Sequence, residues 1–338
     1  MKSFSKLSKT FIIAEAGVNH NGSLKQAIKL INIASDAKVD AIKFQIFDPD
    51  QVCIPGAQQA KYQKKNSIDK DQLSMLRKLK LDQIDFIKLK KYTKKKNLKF
   101  IATAFDVESL KFLHKKLKTE IIKVSSGDIN NFELLNEIRK INIPTIISTG
   151  ASNLNEVKNA IKLLKKTKNK LELAILHCTS EYPAPNKDLN LNCIKTLKKL
   201  NYTVGYSDHS DDYFTPSLAV AAGAKIIEKH FTINKKFKGP DHKASLDPVE
   251  LKMMVKLIRD TEVKMGSYFK NASTSEKKNL KIIRRSIVAK KKIKKNEIFT
   301  LENITCKRPA QGVDASKFLK FLGKRSKKNY PLNSFIIN

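Results

Sequence analysis

The sequence predicts a closed (β/α)8 barrel of the TIM type followed by a small second domain. Eight short β-branched runs recur along the first three quarters of the chain, and each is followed by a polar stretch of helical periodicity. Together they occupy roughly 260 residues, the size that closing such a barrel requires. The runs are Phe11–Asn19, Val39–Phe47, Lys99–Phe105, Glu120–Ser126, Pro144–Gly150, Leu173–Thr179, Thr203–His209 and Ala224–Phe231.

The intervening helices carry start signals. Asn153 with Glu156 three residues later forms a capping-box pattern, and Leu154, Val157, Ile161 and Leu164 follow on one face. Asp82 is expected to open another helix in the same manner. The segment Pro49–Leu81 exceeds a usual βα connection and reads as a functional loop with some helix, placed where a lid would sit. Pro248–Met265 is the last barrel helix. The polar, aperiodic stretch Asn271–Asn279 reads as a linker, so the expected division is a barrel over residues 1–270, a linker over 271–281 and a small domain over 282–338. That domain shows β-like runs at Ser286–Ala289, Ile298–Thr300 and Phe335–Ile337 and a helical patch near Ser316–Leu322.

A net charge of +35 over 338 residues invites a nucleic-acid reading. Of 67 basic residues, however, only 7 are Arg, and the 60 Lys are spread over nearly every helix face without an Arg-and-aromatic stripe. A solvated Lys-rich surface that attracts anionic substrates accounts for this, and no nucleic-acid role is expected. No apolar run approaches the length of a membrane span. Cys53, Cys178, Cys193 and Cys306 form no paired motif, which points to a reducing cytoplasm.

Chemistry in such a barrel gathers at the C-terminal strand ends. There the runs carry Glu15, Lys43 and Gln45, Thr103, Lys123, Ser126 and Asp128, Ser148, Tyr182, Ser207, His209, Glu228 and His230. Either strand lysine alone could snorkel from a strand end. Lys43 and Lys123 together, among Thr103, Ser126, Ser148 and Ser207, are what a phosphate and a carboxylate require. His209 and His230 end consecutive strands, only ~4.8 Å apart, so both imidazoles can reach one divalent cation, with Mn²⁺ or Mg²⁺ suited to an oxygen-rich remainder. His20 and His177 are expected to support this site, and His114 to lie on a surface helix.

Most of these residues fall in runs that resemble the sialic acid synthases over essentially the whole chain: Ile13–Gly22, Lys43-Phe-Gln45, Ser148-Thr-Gly150, His177-Cys-Thr179 with Tyr182-Pro183, Tyr206–His209, Glu228–Thr232 and Gly239–His242. Lys307-Arg-Pro309 resembles the signature of that family's antifreeze-like (SAF, β-clip-type) domain. The resemblance implies that Lys43, Thr103, Lys123, Ser126, Ser148, Tyr182 and Ser207 hold phosphoenolpyruvate, and that His209 and His230 bind the metal. It implies further that Glu15 acts on the reacting sugar or water, with Lys43 and Lys123 also catalytic. Gln45, Asp128, Asp241 and Arg308 would contact an N-acetylated hexosamine, Arg308 from the other subunit of a domain-swapped homodimer. Asp128 stands where Glu is more usual, and Ser180 where some members carry Asn. The Lys43-Phe-Gln45, Tyr62–Lys65 and Gly239–Leu246 stretches resemble the legionaminic acid branch more than the N-acetylneuraminate branch. The implied acceptor is 2,4-diacetamido-2,4,6-trideoxymannose, with N-acetylmannosamine the alternative. The rivals are an octulosonate- or heptulosonate-type synthase and, from another class, a basic sugar- or nucleic-acid-binding module without catalysis.

Overall fold

A computed structural model describes residues 3–66, 69–165 and 171–337, with the side chains of Lys65 and Asn66 outside the described set. The chain divides into two compact units, Met1–Gly266 and Ser267–Asn338.

In the first unit eight strands pair in sequence order into a closed, all-parallel barrel. They are β1 (Phe11–Gly17), β2 (Ala41–Ile46), β3 (Lys99–Ala104), β4 (Ile122–Val124), β5 (Thr145–Ser148), β6 (Leu173–Cys178), β7 (Thr203–Asp208) and β8 (Ile226–His230). Each lies inside its predicted run. Pairing stops earlier than the β-branched composition suggests because the C-terminal ends turn off the ladder. Ser126, for example, leaves β4 to enter a 3-10 turn, Ser126–Asp128.

Side chains alternate across the barrel wall. Outward positions such as Ile12, Ile42, Val124, Ile175 and Ile227 pack against the helices in one continuous apolar layer. Inward positions are apolar only at the N-terminal end of the barrel, where Ile13, Ile101, Ile121, Ile146 and Leu176 meet. The N-terminal segment plugs this end. A 3-10 turn at Phe4–Lys6 inserts Phe4, 1% exposed, into the cluster. The Glu172 carboxylate accepts the Phe4 backbone N–H and holds the turn. Farther along the strands the inward positions become polar.

Helix starts follow the sequence in two cases and depart in one. Asn153 and Glu156 form the reciprocal capping box, as do Asp247 and Glu250 at the helix Pro248–Met265. Asp82 precedes the helix Gln83–Lys95, but its side chain makes no capping bond, so it marks the start without the box. Val157, Ile161 and Leu164 are buried as expected; Leu154, at the first helical position, stays 39% exposed. Among its described residues the Pro49–Leu81 segment forms three short helices, Pro49–Val52, Lys61–Asn66 and Gln72–Leu79. Met75 and Leu79 of the last pack on Val18 and Phe47, which fixes the segment to the strand ends. Among the described residues no helix is long and apolar enough to cross a membrane.

The second unit contains an antiparallel pair, β9 (Ser286–Ala289) and β10 (Ile304–Lys307). Its core comprises Ile287, Ile293, Phe299, Ile304, Tyr330 and Ile336. The runs at Ile298 and Phe335 form single bridges, to Arg325 and Val288, and the helical patch becomes a 3-10 turn followed by Phe318–Phe321. Within residues 271–281, Ser273 and Glu276 cap a four-residue helix, Thr274–Lys277.

Removing the aromatic plug leaves a cavity at the closed end of the barrel. Phe4→Ala is expected to lower the unfolding free energy by about 3 kcal/mol, and Phe4→Leu by less, read from urea denaturation midpoints.

Candidate active site

The parallel register sets polar inward positions side by side on neighbouring strands. Glu15 is the register partner of Lys43 on one side and of His230 on the other. Thr103 pairs with Lys123, and Ser207 with Glu228. They open into a cavity of about 570 Å³, lined by every barrel residue expected to contact substrate or metal except Asp128.

At its base lie two lysines and two glutamates, all buried. Lys43 Nζ is 2.8 Å from Glu15 Oε2 and 3.7 Å from Glu228 Oε2, and it donates to Thr103 Oγ1 at 3.0 Å. Lys123 Nζ is 3.5 Å from Glu228 Oε1 and donates to Ser148 Oγ at 2.7 Å. Ser207 Oγ donates to Glu228 Oε1 at 2.9 Å. Glu228 therefore bridges both lysines. Its place in a strand was visible in the sequence, but its role rests on contacts from β8 across the barrel to β2 and β4, which the sequence does not give.

Burial pushes the Glu15 carboxyl up to about 7, against the pull of Lys43. Burial also disfavours the charge on Lys43, yet Glu15 and Glu228 prevail and hold its pKa above the usual lysine value. For Lys123 burial wins, helped by the neighbouring Lys43 charge, and its pKa falls. Glu228, opposed by burial, is held low by Lys123 and Lys43. Glu15 thus exchanges a proton near neutrality.

Two glycines let the groups converge. Gly17, at φ +53°, has no Cβ where one would meet His230 Cε1 at 3.1 Å, Glu15 Oε1 at 3.3 Å and Gln45 Nε2 at 3.4 Å. Gln45 Nε2 itself donates to Glu15 Oε1 at 3.3 Å. A Cβ on Gly150 would lie 2.1 Å from Ser180 Oγ and 2.9 Å from Ser126 Oγ. Gly150 N–H donates to Ser126 Oγ at 2.9 Å, so this turn forms a small hydroxyl-lined cradle beside Lys123.

Above the cluster stand the histidines. Their ring centroids are 5.6 Å apart, and the Tyr182 ring packs 4.0 Å from that of His209 and 5.7 Å from that of His230. His209 Nδ1 donates to the Thr179 carbonyl at 2.7 Å, which leaves Nε2 as its ligating nitrogen. Burial pushes His209 down, but the Cys178 thiol, 3.6 Å from Nδ1, and the Thr179 carbonyl outweigh it, so its net direction is up. His230 is buried and held neutral, far below the usual histidine value, by burial and the nearby His209, and its Nδ1 has no hydrogen-bond partner. With metal–imidazole bonds of about 2 Å, rings at this separation can share one cation. No cluster of three or more His, Cys, Asp and Glu able to hold a metal occurs among the described residues, so two imidazoles would leave the remaining positions to oxygens.

Asp241 lines the cavity, its carboxyl pushed up to about 6 by burial. Asp128 sits beside it, one oxygen accepting from Ser125 Oγ at 2.5 Å and the other from Asn131 Nδ2 at 3.2 Å. Arg308 belongs to the second unit, exposed, with Nε donating to the Ile283 carbonyl at 2.8 Å. His20 and His177 do not line the cavity. His20 Nδ1 accepts the Gly22 N–H, and His177 Nε2 bonds the Leu189 carbonyl. His114 is half-buried in the helical stretch Phe112–Lys116.

Sequence reasoning gave no role to the cavity's far wall. Val18, Phe47, Val52, Met75, Leu76 and Leu79 form an apolar surface there. Beside it the Tyr62 ring packs, tilted, against Tyr182 with centroids 4.8 Å apart. Most of these residues come from the Pro49–Leu81 segment, whose docking on the strand ends has no periodic signal.

Comparisons with known proteins agree with this arrangement. The chain is 47% identical to an N,N'-diacetyllegionaminic acid synthase of Campylobacter jejuni, over 98% of this chain and 99% of that protein. It is 40% identical to an N,N'-diacetyllegionaminic acid synthase of Legionella pneumophila, over 94% and 91% of the two. The crystal structure of an N-acetylneuraminic acid synthetase from Leptospira borgpetersenii superposes with a TM-score of 0.72 at 36% identity, covering 80% of this chain and 90% of that one. The NeuB family matches residues 30–270 and the SAF domain residues 284–331, and the chain belongs to the NeuB family of nonulosonate synthases.

Proposed function

We propose that the chain condenses phosphoenolpyruvate with 2,4-diacetamido-2,4,6-trideoxymannose and water, giving N,N'-diacetyllegionaminate and phosphate. The observation that carries this reading is the division of one cavity into a cationic, hydroxyl-lined base and an apolar wall. The base suits a phosphate and a carboxylate. The wall suits the 6-methyl group and acetyl methyls of a trideoxy diacetamido sugar. N-acetylmannosamine would set a hydroxymethyl group against Val52, Met75 and Leu76, where its hydroxyl loses hydrogen bonds to water without replacement. Similarity to two legionaminic acid synthases supports the same choice.

In this reading Lys43 and Lys123 orient the two anionic ends of phosphoenolpyruvate, with Thr103, Ser126, Ser148, Tyr182 and Ser207 completing the site. A divalent cation, Mn²⁺ or Mg²⁺, held by His209 and His230 would polarise the aldehyde oxygen when bound. C3 of phosphoenolpyruvate bonds to the aldehyde carbon, and protonated Glu15 supplies the proton that makes that oxygen a hydroxyl. Water adds at C2 and returns a proton to the Glu15 carboxylate. The C2–O bond to phosphate then breaks, the new hydroxyl's proton leaves with the phosphate, and a 2-keto acid remains. Gln45 and Asp241 would hold the acetamido sugar, with Asp128 stiffening the turn that carries Ser126. Arg308 is proposed to act in trans, from the second subunit of a homodimer, and the free thiols suit a cytoplasmic setting.

The substrate assignment is tested by supplying phosphoenolpyruvate, Mn²⁺ and each sugar in turn. Phosphate release and product mass should favour the trideoxy sugar over N-acetylmannosamine by at least about tenfold in kcat/KM, roughly one mispaired hydroxyl. Chelator should abolish turnover with either sugar. Equal use of both would overturn the assignment.

The Glu15 role has a calorimetric signature. The anions of phosphoenolpyruvate offset the lysine charge that holds Glu15 down, so its pKa should rise further on binding. Titrations just above neutrality, in buffers of different ionisation enthalpy, should show proton uptake that Glu15→Gln lacks. The difference should fade well below pH 7, where free Glu15 is already protonated. Identical proton stoichiometry in the two proteins would remove Glu15 from this role.

For Arg308, a Glu15→Ala subunit and an Arg308→Ala subunit, each inactive as a homodimer, should regain activity when refolded together, because one composite site per heterodimer is intact. Heterodimers confirmed by mass but inactive would show that Arg308 does not act across subunits.

A further inference from the structure

Asp208 and Lys229 form an ion pair with both side chains fully buried, Nζ to Oδ2 at 2.7 Å. The pair lies on the outer face of the barrel wall, since Ser207 and Glu228 on either side point into the cavity and the neighbouring outward positions are Tyr206, Ile227 and Phe231. Charges in this layer are unfavourable, because desolvating two ions offsets most of their attraction and an apolar pair of similar volume does as well. Stability is therefore a poor reason for their presence.

Their position suggests another. Asp208 and Lys229 are register partners on β7 and β8, and each is followed immediately by one of the two cavity histidines, His209 and His230. The Lys229 ammonium also donates to the Ser210 carbonyl at 2.5 Å and approaches Ser210 Oγ at 3.3 Å. Asp208 accepts the Ser210 N–H at 3.0 Å and its Oγ–H at 2.8 Å. One ammonium thus gathers the residues before and after His209 while being bonded through the chain to His230. The Thr179 carbonyl fixes the His209 ring from the other side.

We propose that Asp208, Lys229 and Ser210 are positioning residues that set the separation of the His209 and His230 imidazoles, and through it the affinity for a divalent cation. This rests on the metal reading of the histidines given above. An apolar neighbour could fill the same volume, but it could not hold the backbone on both flanks of His209 to the strand that carries His230.

The test is Mn²⁺ binding to substrate-free protein, followed by electron paramagnetic resonance of the free ion. The double variant Asp208→Leu/Lys229→Met keeps the volume apolar and avoids an unpaired buried charge. It should fold, with thermal unfolding close to wild type, yet bind Mn²⁺ at least about tenfold more weakly, as loss of outer support does at metal sites. Its turnover should recover as Mn²⁺ is raised, with the KM for phosphoenolpyruvate unchanged. Ser210→Ala, which keeps the ion pair and removes only the hydroxyl bonds, should weaken Mn²⁺ binding severalfold. Wild-type Mn²⁺ affinity in the folded double variant overturns the proposal; if the double variant does not fold, unaltered affinity in Ser210→Ala does so. Failure of the wild-type protein itself to bind Mn²⁺, Mg²⁺ or another divalent ion would overturn the metal reading and this proposal together.

Discussion

The site depends on one electrostatic constraint: four ionisable side chains, two of each sign, share the buried base of the barrel mouth. Neither lysine could stay charged there alone. Glu228 lies between them and Glu15 bonds Lys43, so the cluster is formally neutral with both glutamates ionised. An incoming dianion or trianion disturbs that balance, and Glu15 is poised to restore it near neutral pH. Binding and proton transfer are in this way linked through a single carboxyl.

The barrel makes such a cluster possible. Inward side chains from all the strands converge on the barrel interior, and the N-terminal end is already filled by aliphatic side chains and Phe4. Polar groups can therefore occupy the upper layer without opening the core. Their ion pairs and mutual hydrogen bonds offset part of the cost of burial, and ligand oxygens can supply further partners. The glycines at 17 and 150 belong to the same scheme, since both sit where side chains from different strands must approach within contact distance.

What the sequence revealed follows from this. Strand runs are legible because their composition is local, and Lys43, Lys123, His209 and His230 stand out because ionisable groups are anomalous within such runs. Glu228 is equally anomalous, but that it bridges two lysines depends on which side chains meet across the closed barrel, a property of tertiary structure. The apolar wall was hidden for a different reason. Val52, Met75 and Leu76 belong to short helices whose apolar residues read as ordinary packing, and only their docking on Val18 and Phe47 turns them toward the cavity. Asp82 shows the converse, a local signal whose bond the tertiary structure does not form. β10 was missed because four residues, Ile304-Thr-Cys-Lys307, carry too little pattern among the lysines around them.

The same distinction resolves the large positive charge. Surface lysines act on a ligand through salt solution, where charges farther apart than about 8 Å are largely screened. They raise the encounter rate of any anion and choose among none. Lys43 and Lys123 act across 2.8 to 3.7 Å from within a buried wall, on partners fixed by the barrel. Their worth is set by local geometry, and a surface with half as many lysines would leave it unchanged. Net charge therefore carries information about approach, while the chemistry is set by a few buried charges whose number is too small to register in composition.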